Sequence, residues 1–133
     1  MSMVDEIADF LAARGHGTLG TNLFRRSMPP TPDDLVCVIQ WEGDAGEFVQ
    51  DNFDIEVENP RLQVRSRSKN PASAEAALSG PYGELMRIRN EVIGGTRYIS
   101  IMPLMAPSVV ERDDNGRYIA QCDFAVRKEH HSV

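Results

Sequence analysis

The sequence predicts a single α+β domain, and three observations carry that prediction. At 133 residues the chain can bury about two-thirds of its unfolded surface and fold without disulfide or metal staples. Apolar residues spaced three and four apart are confined to a segment near the start and one in the middle, and the other apolar segments alternate or run unbroken. The resulting order, α-β-β-β-α-β-β, lacks the strand-helix repetition of a doubly wound fold. It implies a mostly antiparallel or mixed sheet, with an N-terminal helix and a second, kinked helix packed on it.

Ser2 is the expected N-cap of a helix over residues 2–14, with Asp5 three positions on and Val4, Ile7, Ala8 and Leu11 forming one apolar stripe. Next comes Gly15-His16-Gly17-Thr18-Leu19-Gly20, which has the letters of the dinucleotide-binding pattern G-x-G-x-x-G. That pattern needs a strand before it and a helix after it, so that helix N–H groups face a pyrophosphate. Here the order is reversed. Gly15 reads as the left-handed residue that stops a helix, and the segment leads into a strand over residues 21–27.

The prolines of Met28-Pro29-Pro30-Thr31-Pro32 close that strand, because they carry no N–H for a ladder. Residues 35–41 are apolar on both faces and read as a central strand. Residues 42–59 show little periodicity and read as a long acidic loop. Residues 61–68 alternate, with Leu62 and Val64 facing inward and Arg61, Gln63, Arg65 and Arg67 on a wet face. A second helix is expected over residues 72–93, kinked or split at Gly80-Pro81 and ended by Gly94-Gly95. The last strands, 97–105 and 117–128, flank Asn115-Gly116, a type I′ turn signal. Residues 129–133 read as a frayed tail.

The net charge of −6 is unevenly placed. Glu42, Asp44, Glu47, Asp51, Asp54, Glu56 and Glu58 lie in one stretch with no Lys or Arg, leaving 13 of the 20 acids against 14 bases elsewhere. This argues against strong DNA binding by the monomer, which needs a basic stripe. The acids miss the spacing of a calcium loop. They and Arg61, Arg65 and Arg67 instead form two opposite patches of the kind a head-to-tail subunit interface pairs. Cys37 and Cys122 fall in apolar strands and read as buried thiols. Adjacent His130 and His131 make a poor chelate, and no metal or cofactor site is expected. The longest apolar run, residues 35–39, is far too short to span a membrane, and Asp5 and Glu6 stand where a signal peptide is basic. A soluble protein made in the cytoplasm is expected.

Several segments together resemble the bacteriophage minor capsid protein family, which looks like the tail terminators of long-tailed phages. They are Gly17-Thr18-Leu19-Gly20-Thr21-Asn22-Leu23-Phe24, Pro60-Arg61-Leu62-Gln63-Val64-Arg65-Ser66-Arg67, Gly95-Thr96-Arg97-Tyr98-Ile99, Asp114-Asn115-Gly116-Arg117 and Phe124-Ala125-Val126-Arg127. The resemblance spans nearly the whole chain, departs from the family at Gly80-Pro81-Tyr82-Gly83, and rests on structural rather than catalytic motifs. It implies a non-enzymatic virion subunit, typically a hexameric ring, on the head-proximal end of the tail tube. Its partners would be itself, the tail tube protein and a neck protein, with DNA passing through the channel unbound. A neck or head-completion protein is the alternative within this class. From another class stands a small hydrolase or ligand-binding domain, in which His16 would act with an acid from residues 42–58.

Overall fold

The computed structural model describes residues 2–49 and 52–131, with side chains described at 2–40 and 57–129. Helix α1 spans Met3–Ala13 and starts where expected: Ser2 Oγ accepts from the Asp5 N–H at 3.3 Å and donates to the Asp5 carboxylate at 2.9 Å. Val4, Ile7, Ala8 and Leu11 are buried, along with Met3 and Glu6. At the other end the Gly15 N–H bonds Ala12 O and the His16 N–H bonds Leu11 O, with Gly15 at φ 83°. This is a Schellman stop, so the glycine-rich run ends a helix as the sequence predicts.

Strand β1 is only Leu23–Arg25, shorter than the expected 21–27. It pairs in parallel with β2, Leu35–Val49, which pairs antiparallel with β3, Asn52–Ser68. The acidic segment expected as a loop is therefore two strands of a long hairpin arm. Phe48, Val49, Phe53, Ile55 and Val57 supply strand-forming residues between the acids. Register shifts between Trp41 and Asp44, Asp44 and Glu47, and Phe48 and Val49 reset the two-residue period, which is why alternation was not visible.

The second helical region is split as expected, and it is also shorter. Helix α2, Pro71–Ala77, is capped by Asn70 Oδ1, which accepts from the N–H groups of Ala72 and Ser73 at 2.9 and 3.2 Å. Helix α3, Ser79–Leu85, starts just beyond Leu78, because Pro81 has no N–H to bond back across the break. Residues 89–93, expected to be helical, form strand β4, Arg89–Ile93. The spacing of Leu85, Arg89 and Val92 suits a helix face, yet Val92 is exposed and Ile88 and Ile93 are buried, so the strand reading of the same residues wins. Including β4, the order has six strands rather than the expected five.

Strand β5, Thr96–Arg112, follows β4 through Gly94 and Gly95 at φ 60° and 86°, the paired positive values of a type I′ hairpin. The turn expected to be type I′ is different. Asp113 N–H bonds Arg117 O at 2.8 Å, the Gly116 N–H bonds Asp113 O at 3.2 Å, and only Gly116 has positive φ, 74°. Asp113 Oδ1 accepts from the N–H groups of Asn115 and Arg117, closing a three-residue loop in place of a two-residue one. Strand β6, Tyr118–His131, runs past the expected end: Glu129, His130 and His131 pair with Val57, Glu56 and Ile55. Glu129 to His131 are therefore strand rather than frayed tail, held by a ladder that the unexpected length of β3 provides. Ser132 and Val133 lie outside the described residues.

The sheet order is β1-β2-β3-β6-β5-β4, with β2, β3, β6, β5 and β4 antiparallel in turn. The core lies between one sheet face and the helices, and holds Ile7, Leu11, Val38, Leu62, Val64, Leu78, Leu85, Tyr98, Ile101 and Phe124. One acid enters it. Buried Glu6 accepts from Thr96 Oγ1 and Tyr98 OH, each at 2.8 Å, while burial first and Glu6 second push the Tyr98 phenol far above its ordinary range. Cys37 and Cys122 are buried free thiols, pushed up to about 11 and about 12 by desolvation.

The Asp113–Arg117 turn yields a two-sided expectation. Gly116→Val places a β-branched residue at φ 74° and should cost about 1–2 kcal/mol, whereas Asn115→Ala, away from positive φ, should leave the melting temperature nearly unchanged. Equal losses in thermal melts at both positions would restore the type I′ turn and overturn this geometry.

Candidate subunit interface

The interface expected from charge has an acidic half and a basic half, and the structure treats them differently. Glu42, Asp44 and Glu47 lie on β2 and Asp54 on β3, all in the hairpin arm; Asp51 lies outside the described residues. The arm's last acid, Glu58, meets Lys128 Nζ at 3.3 Å.

Arg61, Arg65 and Arg67 share the sheet face away from the helices, as their alternation with the buried Leu62, Val64 and Ser66 predicts. Their environments diverge along the strand. Arg61 is half-buried, in one cross-strand row with Ala125 of β6 and Met102 of β5. Arg65 donates to Gln121 Oε1 at 2.9 Å and pairs with Glu111 at 3.3 Å. Arg67 is 4% exposed, covered on that same outer face rather than wet, which corrects the expectation at this end.

The cause is the proline segment, which folds over Arg67. Its carbonyls have no ladder partners, and an unpaired buried carbonyl is costly. Arg67 donates to Pro29 O at 2.7 Å and Pro32 O at 2.6 Å, and Arg117, 6% exposed, donates to Pro30 O at 2.6 Å. Two buried guanidiniums side by side need counter-charge. Asp113 lies 2.8 Å from Arg117 Nε, and Asp33 lies 3.5 Å from its NH1. Burial, with Arg117 as the next cause, pulls Arg67 below its ordinary range, and the Arg117 backbone N–H leads the contacts that hold Asp113 below the carboxylate range. Arg117 carried no distinguishing signal in the sequence.

Among the described residues His16 meets Glu84, an acid outside residues 42–58. Its ring lies against Gly80, where an added Cβ would come within 2.7 Å of Nδ1, and its Nε2 is 3.3 Å from Glu84 Oε1. That pair ties the end of α1 to α3. A cleft of about 240 Å³ beside it is lined in part by His16, Asp34, Arg67 and Ser73 together with Leu35 and Val36. A larger groove of about 480 Å³, lined by Ala72, Glu75, Ala76, Ser79, Tyr82 and Pro107, is open, and Glu75 is its one ionisable carboxylate.

Sequence reasoning missed an apolar strip. The exposed large hydrophobic residues among those described are Met86, Val92, Met102, Leu104, Val109 and Val110, all between the end of α3 and the end of β5. The signal was present in Pro103 and Pro107, since prolines inside an alternating run mark an edge strand.

These features define an α+β subunit whose distinctive surfaces are long sheet edges and charged strands. A family model described as bacteriophage tail terminator protein matches residues 10–130, and the chain belongs to that family. It is thus a structural protein of phage tails and a component of the virion. No curated protein matches the sequence. The fold is similar to that of a chain in the solved structure "Virion of native gene transfer agent (GTA) particle", with a TM-score of 0.57 and 18% identity over 84% of this chain and 81% of that one. No described helix is long and apolar enough to cross a membrane.

Because Arg67 works inside the subunit, Arg67→Met should lower stability by about 1.5–3 kcal/mol through the loss of charge-assisted hydrogen bonds. Limited proteolysis should then cut first within residues 28–34. Unchanged melting and cleavage would return Arg67 to the surface.

Proposed function

We propose that the protein caps the head-proximal end of the tail tube as a ring of its own copies, sixfold in this reading. The ring ends tube polymerisation and presents a surface to the neck. Membership of the tail terminator family across residues 10–130 is the observation that carries this reading. The tail tube protein and a neck protein are its partners in the assembly, and genomic DNA passes through without specific binding. The net charge of −6 suits such a channel, because a chain without a basic excess does not hold phosphates.

Charge placement supports a head-to-tail contact. The acids of residues 42–54, Glu42, Asp44, Glu47, Asp51 and Asp54, form one half, and Arg61 with Arg65 on the far sheet face forms the other. Arg67 leaves the set that charge alone suggested, because its donors are taken by Pro29 and Pro32. A subunit of this kind is monomeric in dilute solution and closes into a ring where the tube end gathers its copies, since a modest interface leaves little surplus after association entropy.

Two measurements test this. Labelled protein in imaged particles should sit at the junction of head and tail, and a label at the distal tip or inside the shell overturns the reading. In reconstituted tail assembly, Arg61→Glu and Glu47→Lys should each give overlong tubes, while changing the monomer's stability by no more than about 1 kcal/mol. Tubes of normal length with both variants would remove the charge contact.

A further inference from the structure

The sheet ends in two long, unlike edges, and we infer that they are the two halves of one contact: the β2–β3 arm of one subunit seats on the β4–β5 edge of the next. This deepens the ring reading above and rests on it.

The receiving edge is β5. Strand β4 pairs with β5 only from Thr96 to Ser100, so among the described residues no strand covers the outer edge of residues 101–112. That open stretch is about 40 Å long at about 3.4 Å per residue. On it stand Met102, 48% exposed, and Leu104, 51% exposed, followed by Val109 and Val110; Met86 and Val92 flank the same end. An apolar strip of this kind on a soluble subunit marks an interaction surface.

How it binds follows from its backbone. Pro103 and Pro107 offer no N–H, and the β5–β6 register shifts between Pro103 and Met105, Met105 and Ser108, and Val109 and Glu111. A bulged, proline-bearing edge resists simple strand addition. The contact is therefore made through side chains, and it is specific because main-chain pairing is blocked.

The occupant is set by the opposite end of the same sheet. Among the described residues β1 pairs with β2 only as far as Val38 and β6 with β3 only as far as Ile55, so the described arm beyond that point is a two-stranded ribbon. Such a ribbon is marginal in water without a surface to lie on. Residues 42–58 contain seven acids and no base, while residues 86–112 contain Arg87, Arg89, Arg97 and Arg112 against Glu91 and Glu111, with Arg89 held by the carbonyls of Met86, Ile88 and Ile101 and Arg97 3.7 Å from Glu129. Arg61, in one row with Met102, extends the basic side of the same surface inward. Because arm and edge lie toward opposite ends of the order β1-β2-β3-β6-β5-β4, each copy can give its arm to one neighbour and receive the other's. That geometry propagates head to tail and closes as a ring, where a two-fold contact would stop at a dimer.

Proximity cross-linking on assembled tails reads this directly. A Glu47→Cys, Leu104→Cys double variant, treated with a flexible bis-maleimide, should give a ladder of linked copies, and each single variant should give none. Cys37 and Cys122 stay silent because both are buried with raised thiol pKa values. As a second measurement, Leu104→Asp with Val110→Asp should abolish ring capture by tubes at an unchanged monomer melting temperature. Normal-length tubes with no ladder, Glu47→Cys linked to itself, or full capture by the aspartate variant would each overturn the arm-on-edge contact and leave the ring reading standing. Failure of the unmodified protein to limit tube length would instead overturn the ring reading.

Discussion

The antiparallel ladder between β3 and β6 is the interaction on which the rest of the structure depends. One of its faces puts Leu62 beside Phe124 and Val64 beside Cys122 in the core, and the other puts Gln63 beside Asp123 and Arg65 beside Gln121. Each of its strands is then paired outward, β2 on β3 and β5 on β6, and each of these four strands is 14 to 17 residues long. The outermost strands, β1 and β4, have 3 and 5 residues. A sheet built this way overruns its own covers on both sides. Most soluble proteins blunt or shorten such edges, because an open strand is a template for association. Here the central strands are long and the covering strands short, so the capacity to associate is part of the fold itself.

Polar groups inside the subunit fix the geometry of that overrun. Glu6 reaches from α1 to Thr96 and Tyr98 on β5, and Gly94 leaves room for it: a Cβ there would lie 2.8 Å from its Cγ and Oε2. The helix is thereby held against the start of β5, just before the strand leaves β4 behind. At the other end of β3, Arg67 and Arg117 hold the proline segment by its carbonyls and balance their own repulsion with Asp33 and Asp113. Removing one member of such a set leaves the others buried and unpaired, so the cost exceeds the worth of one hydrogen bond. Both arrangements link distant parts of the chain.

Legibility in the sequence followed the range of the forces concerned. Helix α1, its Gly15 stop, the alternation of Arg61 to Ser68 and the break before Pro81 all depend on neighbours a few residues away, and all were readable. The arm was not, because its bulges break the two-residue period and its acids suggest solvent. Strand β4 was hidden for a different reason: Leu85, Arg89 and Val92 satisfy a helical spacing, and only pairing with Arg97 to Ser100 favours a strand. The acidic half of the candidate interface was visible as composition. Its basic half was only partly visible, since the commitment of Arg67 to Pro29 and Pro32 is a contact across 35 to 38 residues of chain. The apolar strip was missed because exposure is decided by which strand ends first.

On the proposed arm-on-edge contact, a subunit with such edges must still avoid joining its copies before the tube end gathers them, and the features that would build the contact also restrain it. An arm rich in acids is repelled by another arm, so arm-to-arm pairing is disfavoured at ordinary ionic strength and less so in salt. The receiving edge is guarded against indiscriminate strand addition by Pro103, Pro107 and three register shifts. What the proposal leaves is a contact between unlike surfaces whose energy, taken once, would be small against the entropy of association. In the proposed ring the copies on a tube end are held side by side, so that each arm would meet its edge at a high effective concentration. On this proposal the association cost falls on the docking to the tube, and the ring would close with contacts too weak to form it in free solution.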